Sequence, residues 1–532
     1  MRETCEISDV AAAASGGLGL GSVSPVRVAK SVIGCVLCVV SAGCTPAADP
    51  VAVRSSLTPA LPGPTVGDDS GEGTDPESVP EPAGSTDSVD PSVTPSRSVT
   101  AGDQRFPALG SADIDVAHYD VTLDIDADQR SLSGMVVIDG TFVHATDQVA
   151  LDIDGPEIRR VSSGATELLY SVVDRDLVVA LGEVRPVGSE FSLTVEYSVK
   201  ISNQSFFGGG LGLFPTDDGL WSLNEPDGAS RWLPISDHPT DKATWTFEVA
   251  VPAGLTAVSN GELIESTSGP DSTTWTWTQS EPMASYLVLL LVGDYELVDD
   301  GVSPSGVDLD HAVLRSDRQA LDAYLTVTRD QLEFYEAVFG PFPFDRYGLA
   351  IADSVGGLAM ETQGLSMFSR ADLNGELDPW QHAFLAHEIA HQWFGDAVSP
   401  GSWNDIWLNE GFATYAQWMW FDEMGFEDID DAAERTLEGL PDWGWPLAEP
   451  DEMFGAVTYD GGATAVHALR LTVGDEAFLS GLRAWITTHL DDSATTADLQ
   501  VTMEQASGVD LTDFFETWIY AATIPSTLPA RS

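Results

Sequence analysis

A chain of 532 residues is long enough for two or three domains with ample core. Its 84 acidic residues outweigh 23 basic ones, for a formal net charge of −61, and only Lys30, Lys200 and Lys242 are lysines. Phosphate backbones are held by clustered Lys and Arg, so this balance excludes nucleic acid as a partner.

The first 44 residues read as an export signal. Arg27 and Lys30 precede an apolar run, Val32 to Ala42, that is too short to cross a bilayer as a helix. Ser41-Ala42-Gly43-Cys44 resembles a bacterial lipobox, with Ser41 where Leu, Val or Ile is usual. Two readings stay open: a lipid anchor at Cys44 on the outer face of the cytoplasmic membrane, or an ordinary signal cleaved nearby. The residues before Val23 exceed a usual signal and fit a start codon placed too early. Cys5, Cys35, Cys38 and Cys44 are the only cysteines, so no disulfide framework can staple the domains that follow.

Residues 45–108 are dense in Pro, Ser, Thr, Gly and Asp, and predict a disordered linker. They carry ten acids and three bases, so most of the acidity belongs to the folded part. Such a surface gives solubility and self-repulsion, and suits a salty habitat or the attraction of cationic peptides.

From residue 109 the pattern alternates. Tyr119–Ile125, Gly134–Ile138, Phe191–Val195, Thr244–Val249 and Thr273–Trp277 predict short strands between Gly, Pro and Asp turns. The apolar run Tyr286–Val292 predicts a buried strand, and the β-rich domain spans 109–298. Residues 299–525 turn helical. The predicted helices are Arg318–Val338, the segment after Asp378-Pro379, Asn404–Phe421, Gly462–Leu471, Asp475–Leu490 and Leu511–Tyr520. The fold class is α+β.

The chemistry concentrates in His387-Glu388-Ile389-Ala390-His391. Asp378 is a cap, Pro379 suits the first helical position, and Gly395 supplies a stop. Residues four apart on a helix share a face, so both imidazoles point the same way, as two ligands of one metal must. Glu388 flanks that face, close enough to act on an activated water but poorly placed to ligate. Glu410, nineteen residues after His391 within Asn409-Glu410-Gly411, would bring a third ligand from a neighbouring helix.

These residues lie among further motifs in a fixed order: Glu225-Pro226-Asp227-Gly228-Ala229-Ser230-Arg231 with Pro234 and Asp237-His238-Pro239; Leu358-Ala359-Met360-Glu361; and Tyr459-Asp460-Gly461-Gly462. Over residues 110–525 the chain resembles the aminopeptidase N-type zinc peptidases, a gluzincin family. The resemblance implies an N-terminal β-sandwich or saddle-like domain followed by a mainly helical, thermolysin-like catalytic domain. It implies one zinc ion per chain on His387, His391 and Glu410, with Glu388 as general base and Tyr459 as donor to the oxyanion. Glu361 and Glu225 would bind the free α-ammonium of a peptide, and Ala359 and Met360 its backbone. The chain departs from the family pattern at Leu223, Leu358, Thr362 and Gly461. It also reads as a short form, ending before the C-terminal helical domain of many relatives. Two other functions share these residues: a gluzincin endopeptidase, and a non-catalytic surface protein that retains the fold. Oligomeric state is not readable from the sequence.

Overall fold

The computed structural model describes residues 99–532, apart from 128–129, 207–208 and 441–443. The signal-like segment with Cys44, and the linker as far as residue 98, lie outside the described residues. Among the described residues, no helix is long and apolar enough to cross a membrane.

The alternating segments build an eight-stranded sheet, with Ile114–Asp126 and Ser131–Phe142 near its middle. Along Ile114–Asp126 burial alternates, with one register shift between Val116 and His118, and from Tyr119 on it puts Tyr119, Val121, Leu123 and Ile125 on the core face. Its neighbour Ala243–Pro252 runs parallel to it, while Ser131–Phe142 pairs antiparallel. Tyr119 stacks on Trp245 across the parallel pair, ring centres 4.1 Å apart. Smaller sheets of three and four strands complete the β domain.

A six-stranded sheet opens the second half, in the order Tyr295–Val302, Asp308–Leu314, Leu349–Ala352, Ser366–Ser369 and Ala359–Met360, with Arg346–Tyr347 paired off this path. Its first strand begins a few residues before 298, where the change of domain was expected. Ala359–Met360 is the edge, antiparallel to Met367–Phe368. Helices follow at Leu325–Phe339, Pro379–His391, Trp407–Glu423, Ile429–Gly439, Gly462–Val473, Asp475–Thr488, Thr496–Ser507 and Thr512–Trp518.

Four expectations need correction. Residues 99–108 are ordered: Asp103 is buried, and its carboxylate accepts hydrogen bonds from the backbone N–H of Phe106 and Trp403 and from the Ser402 hydroxyl. Arg105 adds bonds to the carbonyl of Pro450. Composition averages over such a stretch and misses one well-partnered carboxylate. Second, Tyr286–Val292 is a single turn, Ser285–Leu287, followed by the strand Leu290–Gly293. Here Asn224, Asn260 and Ser259 bond the carbonyls of Val288, Leu287 and Leu289, so side chains replace the ladder. Third, the helix expected over Arg318–Val338 is broken between Leu321 and Leu325. Buried Tyr324 sits in the break and accepts a bond from the Gly375 N–H. Fourth, Ile429–Gly439 and Thr496–Ser507 are helices that the sequence reading passed over. The buried stripe of Ile429–Gly439 is Ile429, Ala432, Ala433 and Thr436, too small to stand out as apolar.

Candidate metal centre

The helix Pro379–His391 starts as its sequence dictates. Asp378 and Gln381 form a reciprocal capping box, with Pro379 at the first position, where no N–H is missed. Almost every residue from Gln381 onward is buried, so the imidazoles cannot escape to water. The chain then turns through Gly395 at φ +126°, where a Cβ would crowd the Asn409 amide at 3.1 Å.

The structure brings His387, His391 and Glu410 together. Nε2 of His387 lies 3.1 Å from Oε2 of Glu410, and Nε2 of His391 lies 3.4 Å from the same oxygen. The Phe394 carbonyl can only accept, so its 3.0 Å contact with Nδ1 of His391 keeps a proton on Nδ1 and makes Nε2, which faces Glu410, the nitrogen that gives up its proton to ligate. Donors placed 2.0–2.1 Å from a tetrahedral ion sit about 3.3 Å apart, so the two spacings suit a zinc-sized ion. Two nitrogens and one carboxylate oxygen are also the donor set of a catalytic zinc, with a position left for water. Glu361, Glu388 and His391 form a second group with ligand atoms within 4.8 Å, but it has only one imidazole. The first set fits zinc better.

Electrostatics agree with this convergence. Burial alone would raise Glu410, but hydrogen bonds from His387 and His391 outweigh it and hold the carboxyl down to about 2. Burial lowers His391, and the charges of Glu361 and Glu410 more than reverse that, raising it well above its usual value. Burial pushes Glu388 well above the usual carboxylate range, opposed by His391 and assisted by Glu361 and Glu410.

Tyr459 lies in a π-helical turn, Val457–Gly461, and donates its hydroxyl proton to Oε1 of Glu410 at 3.0 Å. Its ring stacks on His387 at 5.9 Å. Two glycines permit this approach: a Cβ on Gly411 would lie 2.8 Å from the Gly462 Cα, and one on Gly462 would lie 2.7 Å from the Gly411 Cα. Burial pushes the Tyr459 phenol up, with Glu410 adding to it, so it stays a proton donor at neutral pH.

Glu361 is 3% exposed, directly after the edge strand Ala359–Met360, and its Oε1 has no partner among the described residues. Glu225, from the β domain, has an enclosed Oε1 that is likewise unpartnered. Burial raises both carboxyls, and the charge of Glu361 raises Glu225 further. The Met360 side chain is core; Ala359 is half-buried. Sequence reasoning passed over Gln392, whose amide binds the Glu361 carbonyl at 3.0 Å and the Gly364 N–H at 2.8 Å. Its place directly after the His pair was the available signal.

Comparison with known proteins agrees with this architecture. Residues 116–287 match the peptidase M1 N-terminal domain, and residues 324–440 and 445–518 match the peptidase family M1 domain. A probable aminopeptidase 1 from Sulfurisphaera tokodaii is 26% identical, over 76% of this chain and 53% of the relative. An aminopeptidase N from Streptomyces lividans is 27% identical, over 77% and 50%. The chain thus spans about half the length of the curated relatives it matches. Solved structures cover more: the M1 zinc metallopeptidase from Deinococcus radiodurans superposes with a TM-score of 0.74 at 30% identity, over 81% of this chain and 100% of that one. A mutant of that protein bound to a Tyr-Ser-Ala substrate gives the same figures.

Proposed function

The chain belongs to peptidase family M1, and from that premise we propose that it is a zinc-dependent aminopeptidase, releasing the first residue of peptides with a free N-terminus. One zinc ion per chain, held by His387, His391 and Glu410, would supply a Lewis acid that polarises the scissile carbonyl and acidifies water near neutral pH. Glu388 takes the proton of the attacking water and hands it to the departing amine. Tyr459 donates to the oxygen on which negative charge builds, which favours the transition state over the bound substrate. Main-chain groups of Ala359 and Met360, on an open sheet edge, pair with the peptide backbone.

The observation that carries this reading is a pair of enclosed carboxylates, Glu225 and Glu361, each with an unpartnered oxygen, that feel the charges of His391 and Glu410. Buried carboxylates without partners are costly, and an α-ammonium would satisfy both through charge-assisted bonds. Holding the amine there sets the cut one residue in, by distance. An endopeptidase has no use for such a pair, and a non-catalytic protein has none for Glu388 and Tyr459. The test is hydrolysis of a panel of aminoacyl arylamides with metal present, chelated and restored. The expected result is loss with chelator and recovery with zinc; activity indifferent to metal overturns the reading. The export signal supports a tethered position outside the bacterial membrane, with fatty-acid labelling that is lost in Cys44→Ser.

A further inference from the structure

Four successive carbonyls follow the metal-binding helix, and each has a side-chain partner. That of Phe394 accepts the Nδ1 proton of His391 at 3.0 Å. That of Gly395 accepts the hydroxyl of Tyr286 at 2.9 Å, together with that of Ser399 at 2.7 Å. Those of Asp396 and Ala397 both accept from Nζ of Lys242, at 2.7 and 3.0 Å. Tyr286 and Lys242 belong to the β domain. Lys242 lies 154 and 155 residues from the carbonyls it holds. Tyr286 reaches the other ligand helix as well, accepting from the Asn409 amide at 3.4 Å, one residue before Glu410.

The loop between these anchors has little freedom. The N–H groups of Asp396 and Ala397 bond back to the carbonyls of His391 and Gln392, and that of Gly395 to the carbonyl of Val398. Moving the loop therefore moves the carbonyl that fixes the tautomer and the ring of His391. The path is short: hydrogen bonds from the β-domain donors to the loop carbonyls, a few covalent backbone bonds to the Phe394 carbonyl, and one hydrogen bond to the imidazole.

We propose that Lys242 and Tyr286 are positioning residues which, from the β domain, fix the carbonyls of residues 395–397, hold the adjoining Phe394 carbonyl in place through the chain, and so aim His391 at the metal. Resting on the zinc reading above, this makes metal affinity a property of both domains. Outer partners of metal-bound histidines commonly tune affinity 10–100-fold, and Lys242 extends that chain one step further.

The test uses the full chain, stripped of metal, with zinc affinity measured by competition with a chromophoric chelator and ligand geometry read from the visible bands of the cobalt form. Lys242→Met is expected to weaken zinc by about 10-fold or more and to alter the cobalt bands. Lys242→Arg, which keeps charge and donors, should recover most of the affinity. Tyr286→Phe removes one hydroxyl and should weaken zinc by a smaller factor; it carries the test if Lys242→Met does not fold. A merely structural role would lower the melting temperature of the metal-free protein but leave zinc affinity and cobalt bands unchanged in the folded variants, and that result overturns the proposal. Wild-type protein that fails to bind zinc would instead overturn the reading on which it rests.

Discussion

Two groups of buried carboxylates, one around the imidazole pair and one made of Asp103, Asp152 and Asp237, look alike by charge and burial. They differ in what their oxygens meet. Asp237 accepts from the Ser285 hydroxyl and the Ser230 N–H, Asp152 from the N–H groups of Gly110 and Asp237, and Asp103 from Phe106, Trp403 and Ser402. Glu225 and Glu361 each keep an unpartnered oxygen among the described residues. Burial raises carboxyls in both groups, including Asp152, Asp237, Glu225 and Glu361. A perturbed acid is therefore no mark of a site by itself. A well-partnered carboxylate organises backbone, whereas Glu225 and Glu361 pair an unpartnered oxygen with a place near the imidazoles, where a cationic ligand can be met.

The comparison breaks most sharply at Glu388. Glu388→Gln keeps shape and removes the proposed base, so turnover should fall by about 10²–10⁴-fold while zinc content, measured by atomic absorption, stays at the wild-type level. Glu361→Gln comes next. Losing one charge-assisted bond to the amine should lower kcat/KM for free peptides by roughly 10–100-fold, with the folded state unharmed.

In the other group the signs reverse: fold suffers and chemistry does not. Asp103→Ala leaves the Phe106 and Trp403 N–H groups without their acceptor, and should cost about 1–3 kcal/mol in denaturant unfolding, with kcat/KM per folded molecule unchanged. The same group also predicts a pH slope. Burial, with the charge of Asp237, raises Asp152 to about 8, and burial raises Asp241 to about 7. A raised folded pKa means that these groups stabilise fully below the unfolded value of 3.8, and progressively less as pH climbs to about 8. Asp103 has the opposite sign: bonds from His238, Phe106, Trp403 and Ser402 outweigh burial and lower it, so its contribution fades as pH falls below 3.8. Melting temperature should thus decline from pH 4 to 8, and Asp152→Asn should flatten that slope.

The proposed metal ligands were legible because the helix itself sets their spacing: four residues and one capped helix suffice for His387 and His391. Glu410 needed a second helix, and Asn-Glu-Gly marked it. Glu225 and Glu361 were legible only through motif order, since a lone glutamate looks like any surface acid. Lys242 and Tyr286 were not legible at all. Their contacts join segments more than a hundred residues apart, and neither alternation nor helical periodicity records such a pairing. The strands read well where one face is buried, as along Ile114–Asp126, and poorly near Leu287, where side chains held the backbone.

The most direct measurement is kcat/KM for a matched pair of peptides, one with a free amine and one N-acetylated, using zinc-restored protein. Unpartnered oxygens on Glu225 and Glu361 call for a cation, so the free peptide should be cut after its first residue and the acetylated one at least about 100-fold more slowly. Equal rates for the two, or a cut within the acetylated chain, would contradict the assignment of those carboxylates to the amine.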